Sequence, residues 1–338
     1  MKNRVVVTGL GMIGDFGVGK EDFCNFIDGQ KQKHKITDFN FDNYIDTTLL
    51  RRADQVSYFA SVAAKLALKD ADLLDNAVGE KAVKFGTIVG TVHGALQYTI
   101  DYHKELVMGN PTMVSPSLFS NSVINAAISC ISNIFKIHGY AVTIPGYAGV
   151  HQAIKLAAEL INEKHLSICL VGGVDINNEF LVEAYSSCIE DNKLISNNFG
   201  GSGFLILESL ESALKRNSRI YAEVLGVEII TANYEKLLKY KILPAKRLNL
   251  QNVDCVFSAA FYDKDSKTRE ALFLESLSQN KIPVFSCSNL FGCTFCAAES
   301  FQIILGAMKL GDSYSKVLTN YSSQTGTNAC LLMGRYNS

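Results

Sequence analysis

The sequence predicts a layered α/β fold, with helices between and around two sheets, built from two similar halves. The first observation is that short β-branched strands alternate with amphipathic helices along the whole chain, which is the pattern of α/β architectures. The second is that this alternation runs through twice, once in each half. The third is that 48% of the 338 residues are hydrophobic, enough for a large buried core. We place the two halves at residues 1–216 and 217–338.

The first half opens on a buried strand followed by a loop rich in glycine. Its glycines fall at Gly9, Gly11, Gly14 and Gly17, but no acidic residue ends a following strand, so we do not expect a dinucleotide site. The predicted elements of this half are strand Arg4–Leu10, helices Glu21–Ile27 and Arg51–Leu74, strand Lys84–Thr91, helices Gly94–Met108 and Pro116–Ile137, and strands Leu166–Val174 and Gly203–Glu208.

Between them, the segment Tyr140–Ile161 (YAVTIPGYAGVHQAIKLAAELI) predicts a sharp strand-to-helix turn. An apolar strand breaks at Pro145 and Gly146, and a helix follows whose residues Val150, Ile154, Ala157 and Ile161 share one apolar face. Such a turn exposes its apex residue beside the free N–H groups of the helix, where a nucleophile belongs. The apex here is Gly146, which has no side chain.

The second half repeats the alternation. Its predicted elements are a long strand over Arg219–Ile230, helix Glu235–Lys241, strand Val253–Ser258, helix Arg269–Gln279, strand Pro283–Cys287, helix Ala297–Leu310 and closing strand Ala329–Gly334.

Composition excludes several classes of function. The formal net charge of −1 and the absence of Lys/Arg blocks argue against nucleic acid as a partner. The opening MKNRVVVTGL has too short an apolar run for a secretory signal, and no stretch approaches the roughly 20 apolar residues that span a bilayer. We therefore expect a cytoplasmic protein with no membrane partner. Among nine scattered cysteines the one close pair is Cys293 and Cys296, with no histidine after His165 to complete a metal shell. We expect no metal, no cofactor and no disulfide framework.

Eight segments in order resemble the β-ketoacyl-acyl-carrier-protein synthases (ketosynthases) of the thiolase superfamily. They are RVVVTGLGMIGDFGVG, IVGTVHGAL, SPSLFSNSVINAAIS, TIPGYAGVHQAI, LVGGVD, GGSGFLILES, SNLFGCTFCAAES and SSQTGTNACLLM. The resemblance covers nearly the whole chain. It implies a thiolase-like fold, in which two similar α/β halves form α-β-α-β-α layers.

The resemblance also implies that the catalytic residues are missing. Ketosynthases perform decarboxylative Claisen condensation with a cysteine at the turn and two histidines in the C-terminal half. The cysteine position falls on Gly146, and the histidine positions fall on Ala259 and Cys293. Elsewhere, Ser288 stands at the family's lysine position and Gln324 at its phenylalanine gate. No shift of register supplies a histidine, because the C-terminal half contains none.

An inactive ketosynthase-like chain resembles the chain-length factor, or ketosynthase β subunit, of type II polyketide synthases. That resemblance implies a heterodimer with an active ketosynthase, an acyl carrier protein as partner of the complex, and a growing polyketide chain in a tunnel at the shared interface. The helix after the second glycine-bearing strand lines the tunnel in chain-length factors. Its counterpart here is LQYTIDYH, where Leu96, Thr99 and His103 share a face that lines the tunnel or packs on the chain's own core.

Two alternatives remain from the sequence. In the first alternative, the chain is an independent acyltransferase or decarboxylase that uses Cys293, His151 or Cys188. His151 on the turn helix is, however, more typical of a satisfied core histidine. In the other alternative it is a homodimeric scaffold or acyl-binding protein.

Overall fold

The computed structural model describes residues 4–30, 39–74, 84–186, 200–232, 248–261, 263–277, 282–292, 294–311 and 313–337. Within them the strands are β1 (Val5–Gly14), β2 (Gly17–Val18), β3 (Phe85–Thr91), β4 (Ala141–Pro145), β5 (Ile168–Ile176), β6 (Gly200–Ser209), β7 (Ala222–Thr231), β8 (Cys255–Ala260), β9 (Val284–Ser286), β10 (Lys316–Ser322) and β11 (Thr327–Gly334). The helices are α1 (Gly19–Ile27), α2 (Gln55–Asp70), α3 (Leu96–Met108), α4 (Pro116–Asn121), α5 (Ala126–Phe135), α6 (Gly149–Asn162), α7 (Glu179–Ser186), α8 (Leu210–Lys215), α9 (Lys264–Leu277), α10 (Cys287–Phe291) and α11 (Phe295–Lys309).

The two halves have the same sheet topology. The strand order is β4-β3-β5-β6-β1 in the first half and β9-β8-β10-β11-β7 in the second. In each half the first three strands of this order are parallel to one another, and the next two pairings are antiparallel. The duplicated architecture predicted from the sequence is therefore confirmed.

The expectation of two separate sheets needs a correction, because β1 joins the halves. Val6 and Val7 pair with Glu223 and Ala222 of β7, so all the strands form one sheet. The N–H of Tyr221 adds a bond to the carbonyl of Val7 at 2.8 Å. Our division after residue 216 falls between α8 and β7.

Helices cover both faces of the two halves. α2 and α5 pack on the outer face of the first half, and α9 packs on β8 and β10 of the second. α6 and α11 contact each other and strands from both halves, so they form the central layer of an α-β-α-β-α arrangement. The apolar residues of that layer belong to the largest hydrophobic core of the described residues.

Local sequence explains where several helices begin and break. Asp54 accepts a hydrogen bond from the N–H of Val56 at 3.0 Å and so caps α2. The helix predicted over Pro116–Ile137 is divided into α4 and α5. Near the break, the side chains of Asn121 and Ser122 bond to backbone carbonyls within the last turn of α4, which competes with continuing the helix.

Individual elements differ as well. The strands β2 and β10 and the helices α7, α8 and α10 were not predicted. The helix predicted over Glu235–Lys241 lies outside the described residues. The remaining predicted elements are present, with ends that shift by a few residues.

Candidate functional site

The strand-to-helix turn between β4 and α6 has a backbone that favours glycine at its apex. Gly146 has φ +107°, in the region that residues with a Cβ rarely adopt. Its N–H donates to the carbonyl of Thr91 at 2.9 Å, which fixes the turn to the end of β3. A Cβ built on Gly146 would meet no atom within 4 Å, so backbone conformation, and not crowding, disfavours a side chain there.

The start of α6 lies against β3 and α11 with no room for side chains at two positions. A Cβ on Gly90 would lie 2.7 Å from the carbonyl carbon of Gly149, and a Cβ on Gly149 would lie 2.9 Å from the Cys296 sulfur. The four apolar residues predicted to share a face of α6 are all buried. The start of α6 is thus packed closely against both β3 and α11.

His151, the possible base on α6, is a satisfied core histidine. Its side chain is fully buried, with Nδ1 2.5 Å from the Glu299 carboxylate and Nε2 3.1 Å from the Thr319 hydroxyl. The same carboxylate accepts the His151 backbone N–H at 2.8 Å. With both ring nitrogens engaged inside the core, His151 is not placed to act on a substrate.

Asp175, at the end of β5, ties together the segments around the turn. Its carboxylate accepts the backbone N–H groups of Val92, His93 and Cys296 at 3.0 to 3.1 Å and the Thr91 hydroxyl at 2.9 Å. Burial raises the pKa of Asp175 to about 6, and these hydrogen bonds oppose the shift. The role this geometry supports is structural, because the carboxylate joins the end of β3 to the start of α11.

Aromatic side chains lie together beside the turn. We call His93, Tyr147, Tyr185, Phe261 and Phe295 the aromatic cluster. Phe295 is central: its ring lies 4.6 Å from His93, 5.4 Å from Tyr185, 5.9 Å from Phe261 and 6.1 Å from Tyr147, between centroids. Phe295 also has φ +49°, an uncommon conformation for a bulky residue, which packing around its ring holds in place.

Hydrogen bonds link the polar groups of the aromatic cluster. The Tyr147 and Tyr185 hydroxyls lie 3.3 Å apart, and the Tyr185 hydroxyl lies 3.5 Å from His93 Nε2. The Gln324 amide donates to the Tyr147 hydroxyl. Burial lowers the pKa of His93 to about 4, so its imidazole is neutral at pH 7. The polar groups of the aromatic cluster thus hold one another beside the turn.

The other sequence-predicted positions are only partly described. Ala259 is buried in β8, two residues before Phe261 of the aromatic cluster. Ser288 in α10 bonds through its hydroxyl to both the N–H and the carbonyl of Ala260. Cys293 and Cys188 lie outside the described residues. The structure thus brings Gly146, Gln324 and the end of β8 to one region through their contacts with Tyr147 and Phe261.

Sequence reasoning overlooked the thiol that lies at the turn. The Cys296 sulfur is 3.6 Å from the carbonyl oxygen of Gly146 and is completely buried. Burial raises the pKa of Cys296 well above its usual range, and the nearby carboxyls of Asp175 and Glu299 raise it further. Since the thiolate is the nucleophilic form, Cys296 is a packed thiol.

The proposed tunnel face of α3 is partly engaged within the chain. Leu96 and Thr99 are half-buried, whereas His103 is exposed. The Thr99 hydroxyl donates to the Ser122 carbonyl at 2.8 Å, and His103 Nδ1 lies 2.8 Å from the Thr99 carbonyl. None of the residues of α3 is fully buried.

A broad apolar surface lies next to this helix. We call the exposed side chains on α3, α4 and their connections the apolar surface: Leu106, Val107, Met108, Met113, Phe119, Val123 and Ile124. Met108 is 85% exposed and Met113 is 78% exposed. The strand β4 is half-exposed, and among the described residues no strand pairs with its outer edge. Exposed apolar side chains in this number are typical of interaction sites.

The described residues also bear on metal binding and on membrane insertion. No group of three or more His, Cys, Asp or Glu side chains there is arranged to hold a metal ion. None of the helices in these ranges is long and apolar enough to cross a membrane.

The fold defines the class of protein: the chain has the architecture of thiolase-like ketosynthases. It superposes with a TM-score of 0.84 on a β-ketoacyl synthase from Burkholderia phymatum (16% identity, 99% of this chain and 100% of that one). It superposes at 0.83 on the ishigamide ketosynthase/chain length factor (20% identity, 100% of both chains). A third match, at 0.80, is a type II PKS acyl-carrier protein in complex with its ketosynthase bound to the hexaketide (21% identity, 99% and 100%). At these identities the likeness shows the fold.

Residues 21–188, just under half of the chain, match the family described as "Beta-ketoacyl synthase, N-terminal domain". The 3-oxoacyl-[acyl-carrier-protein] synthase 2 of Rhizobium meliloti is 26% identical over 94% of this chain and 88% of its own length. The enzyme of the same name from Synechocystis is 28% identical over 67% of this chain, and the aligned part spans 62% of that enzyme. The resemblance to ketosynthases of the thiolase superfamily is confirmed.

Proposed function

We propose that this chain is a non-catalytic ketosynthase-like subunit, a chain-length factor that pairs with an active ketosynthase of a type II polyketide synthase. The observation that carries the proposal is the turn at Gly146. A ketosynthase needs a thiolate at this apex, and here the apex residue has no side chain and φ +107°. Without a nucleophile, no acyl-enzyme forms at this turn.

The aromatic cluster beside the turn supports the same proposal. Its rings pack on Phe295, so an acyl chain or carrier arm that reached the turn from the side of the cluster would have to displace them. Close aromatic pairs of this kind are worth about 1 kcal/mol each beyond their buried area. We infer that the growing chain is held on the partner's cysteine and enters this subunit only at the shared interface.

The edge of β4 and the apolar surface support the pairing. An exposed strand edge and an exposed apolar surface together favour association through strand addition and burial of side chains. Two of the structural relatives are a ketosynthase/chain length factor and a ketosynthase in complex with an acyl-carrier protein. We therefore propose a ketosynthase as the direct partner and an acyl carrier protein as partner of the complex.

The test is co-purification. The chain, tagged and expressed alone or together with the ketosynthase encoded beside it, is measured by light scattering after size exclusion. We expect poor recovery alone and a one-to-one complex on co-expression. A stable monomer that ignores the ketosynthase contradicts the proposal.

A matched pair of variants locates the contact. Met113→Glu puts a charge on the apolar surface and should weaken the complex at least tenfold, because the carboxylate would be desolvated at the interface. Leu49→Glu is the control, since Leu49 is also exposed, at 62%, but lies outside that surface. Equal binding by both variants would exclude the apolar surface from the interface.

The independent acyltransferase alternative gains no support from the described residues. His151 is engaged in the core and Cys296 is protonated. Acylation by an activated thioester, read by intact mass on the purified chain, tests this alternative directly.

A further inference from the structure

The outer edge of β4 presents a defined set of backbone groups. The N–H of Thr87 donates to the carbonyl of Tyr140 at 2.7 Å, and the N–H of Gly146 donates to the carbonyl of Thr91 at 2.9 Å. Residues 140, 142, 144 and 146 therefore bond to β3. Because neighbouring residues of a strand point their backbone groups to opposite edges, Ala141, Thr143 and Pro145 face outward.

Proline changes what this edge can bind. The outward groups include the carbonyls of Ala141, Thr143 and Pro145, but N–H donors only at Ala141 and Thr143, since proline has none. Proline on an edge strand is one of the devices by which proteins limit pairing between sheet edges. Its effect depends on which strand comes to the edge.

Pairing of β4 with a second copy of itself would lack two hydrogen bonds. Two copies related by a twofold axis pair β4 with β4 in antiparallel orientation. Full overlap of the five residues centres the pairing on Thr143 and sets Ala141 opposite the partner's Pro145. In such a pair each residue should donate to the other, so the Ala141 carbonyl receives no bond. By symmetry, the Ala141 carbonyl of the other copy also receives no hydrogen bond.

We propose that Pro145 makes β4 select a non-identical partner: the edge strand of a different thiolase-like chain that carries a backbone N–H opposite Ala141. Against such a strand, the Ala141 carbonyl accepts a hydrogen bond. The N–H that Pro145 lacks then removes only one hydrogen bond from the pairing. The apolar surface contributes area to either pairing, whereas the proline distinguishes between them. This inference rests on the proposed function, because it names how that subunit avoids pairing with itself.

The experiment compares Pro145→Ala with Pro283→Ala. Pro283 is the matched control, since it immediately precedes β9, the topological counterpart of β4 at the other end of the sheet. Self-association is measured by sedimentation velocity, and binding to the ketosynthase by titration. A restored hydrogen bond contributes about 1 kcal/mol, roughly fivefold in affinity. Pro145→Ala should therefore tighten the homodimer roughly 25-fold and the heterodimer roughly fivefold, while Pro283→Ala changes neither.

Pro145→Val provides a second variant with a residue suited to strands, should the alanine variant fold poorly. The most stringent criterion compares the two changes in affinity. The factor by which the homodimer tightens should be about the square of the factor by which the heterodimer tightens. Unchanged self-association in folded variants, or an equal gain in both complexes, overturns the selection by Pro145 while leaving the wild-type heterodimer intact. Failure of the wild-type chain to bind the ketosynthase overturns the proposed function itself.

Discussion

Gly146 illustrates how a backbone angle and a missing side chain combine at one residue. The space around it is open, so the absence of a thiol does not follow from crowding. The φ of +107° instead makes any residue with a Cβ strained at this turn. Restoring the residue type therefore does not by itself restore a working apex.

We predict that Gly146→Cys will not restore condensation. The substitution should cost about 1 to 2 kcal/mol of stability because of the positive φ, and the decarboxylating histidines remain absent. The measurement is ketide formation by the complex whose partner ketosynthase has its own cysteine replaced by alanine, with Gly146→Ala as the control for backbone strain. Condensation by the cysteine variant would show that the C-terminal positions have been aligned wrongly.

His93 makes stability depend on pH. Its pKa is about 4 in the folded protein, below the ordinary 6.5, because burial disfavours the imidazolium. The unfolded chain then binds more protons between these values, so the stability contributed at pH 7 is lost as the pH falls from about 6.5 to 4. After allowance for partial exposure, we expect a loss of about 2 kcal/mol.

The check is urea unfolding of the wild type and of His93→Phe from pH 7.5 to 4.5. The wild type should lose stability relative to the variant as the pH falls. Asp175, whose raised pKa acts in the opposite direction, is present in both proteins and largely cancels from the difference. Tyr185→Phe, which alters the same cluster without a group titrating in this range, should follow the wild type. A constant difference between wild type and His93→Phe would mean that His93 is not held neutral.

At the scale of elements, α3 is where the proposed subunit would set product length. Its residues Leu96 and Thr99 are half-buried in the isolated chain, next to the apolar surface. The hydrogen bond from Thr99 to Ser122 shows that this side chain also braces the loop after α4. The tunnel role and the bracing role predict different outcomes for substitutions of different size.

We expect Thr99→Phe to shorten the products of the co-expressed complex and Leu96→Ala to lengthen them or broaden their distribution. Thr99→Val is the control, because it removes the hydrogen bond at nearly constant volume and should leave product length unchanged. Product masses from the reconstituted complex decide the matter. If all three complexes assemble and give the same product length, α3 does not line the tunnel.

Elements with a single periodic pattern were the ones that the sequence could predict. The apolar faces of α2 and α6 are local patterns, and both helices occur where the pattern placed them. The aromatic cluster escaped prediction because Tyr147, Tyr185, Phe261 and Phe295 come from four separate segments, and only the fold brings them together. Tyr147, which directly follows the apex glycine, was the one local signal available. Cys296 was noted only as half of a CxxC pair, since nothing in its own segment places it against Gly146.

At the scale of the whole molecule, the duplication was predictable, whereas the pairing of β1 with β7 that connects the two halves was not. The alternation of strands and helices repeats in the sequence, and the two halves have the same strand order. The pairing of β1 with β7 covers only two residues of each strand and depends on how the halves meet. Such long-range contacts leave no periodic signature along the chain.

The central layer also determines what a ribosome must release before this protein can fold. β1 is synthesised long before its main partner β6, which begins at Gly200, and the face of β5 and β6 that packs on α11 waits for residues 295–309. The N-terminal half therefore leaves the exit tunnel with part of its apolar face uncovered until residues 295–309 have followed it. Nascent chains in this state bind chaperones and aggregate readily. A stop codon placed between the halves should accordingly yield insoluble protein, even though the strands β1 to β6 all lie in the first half.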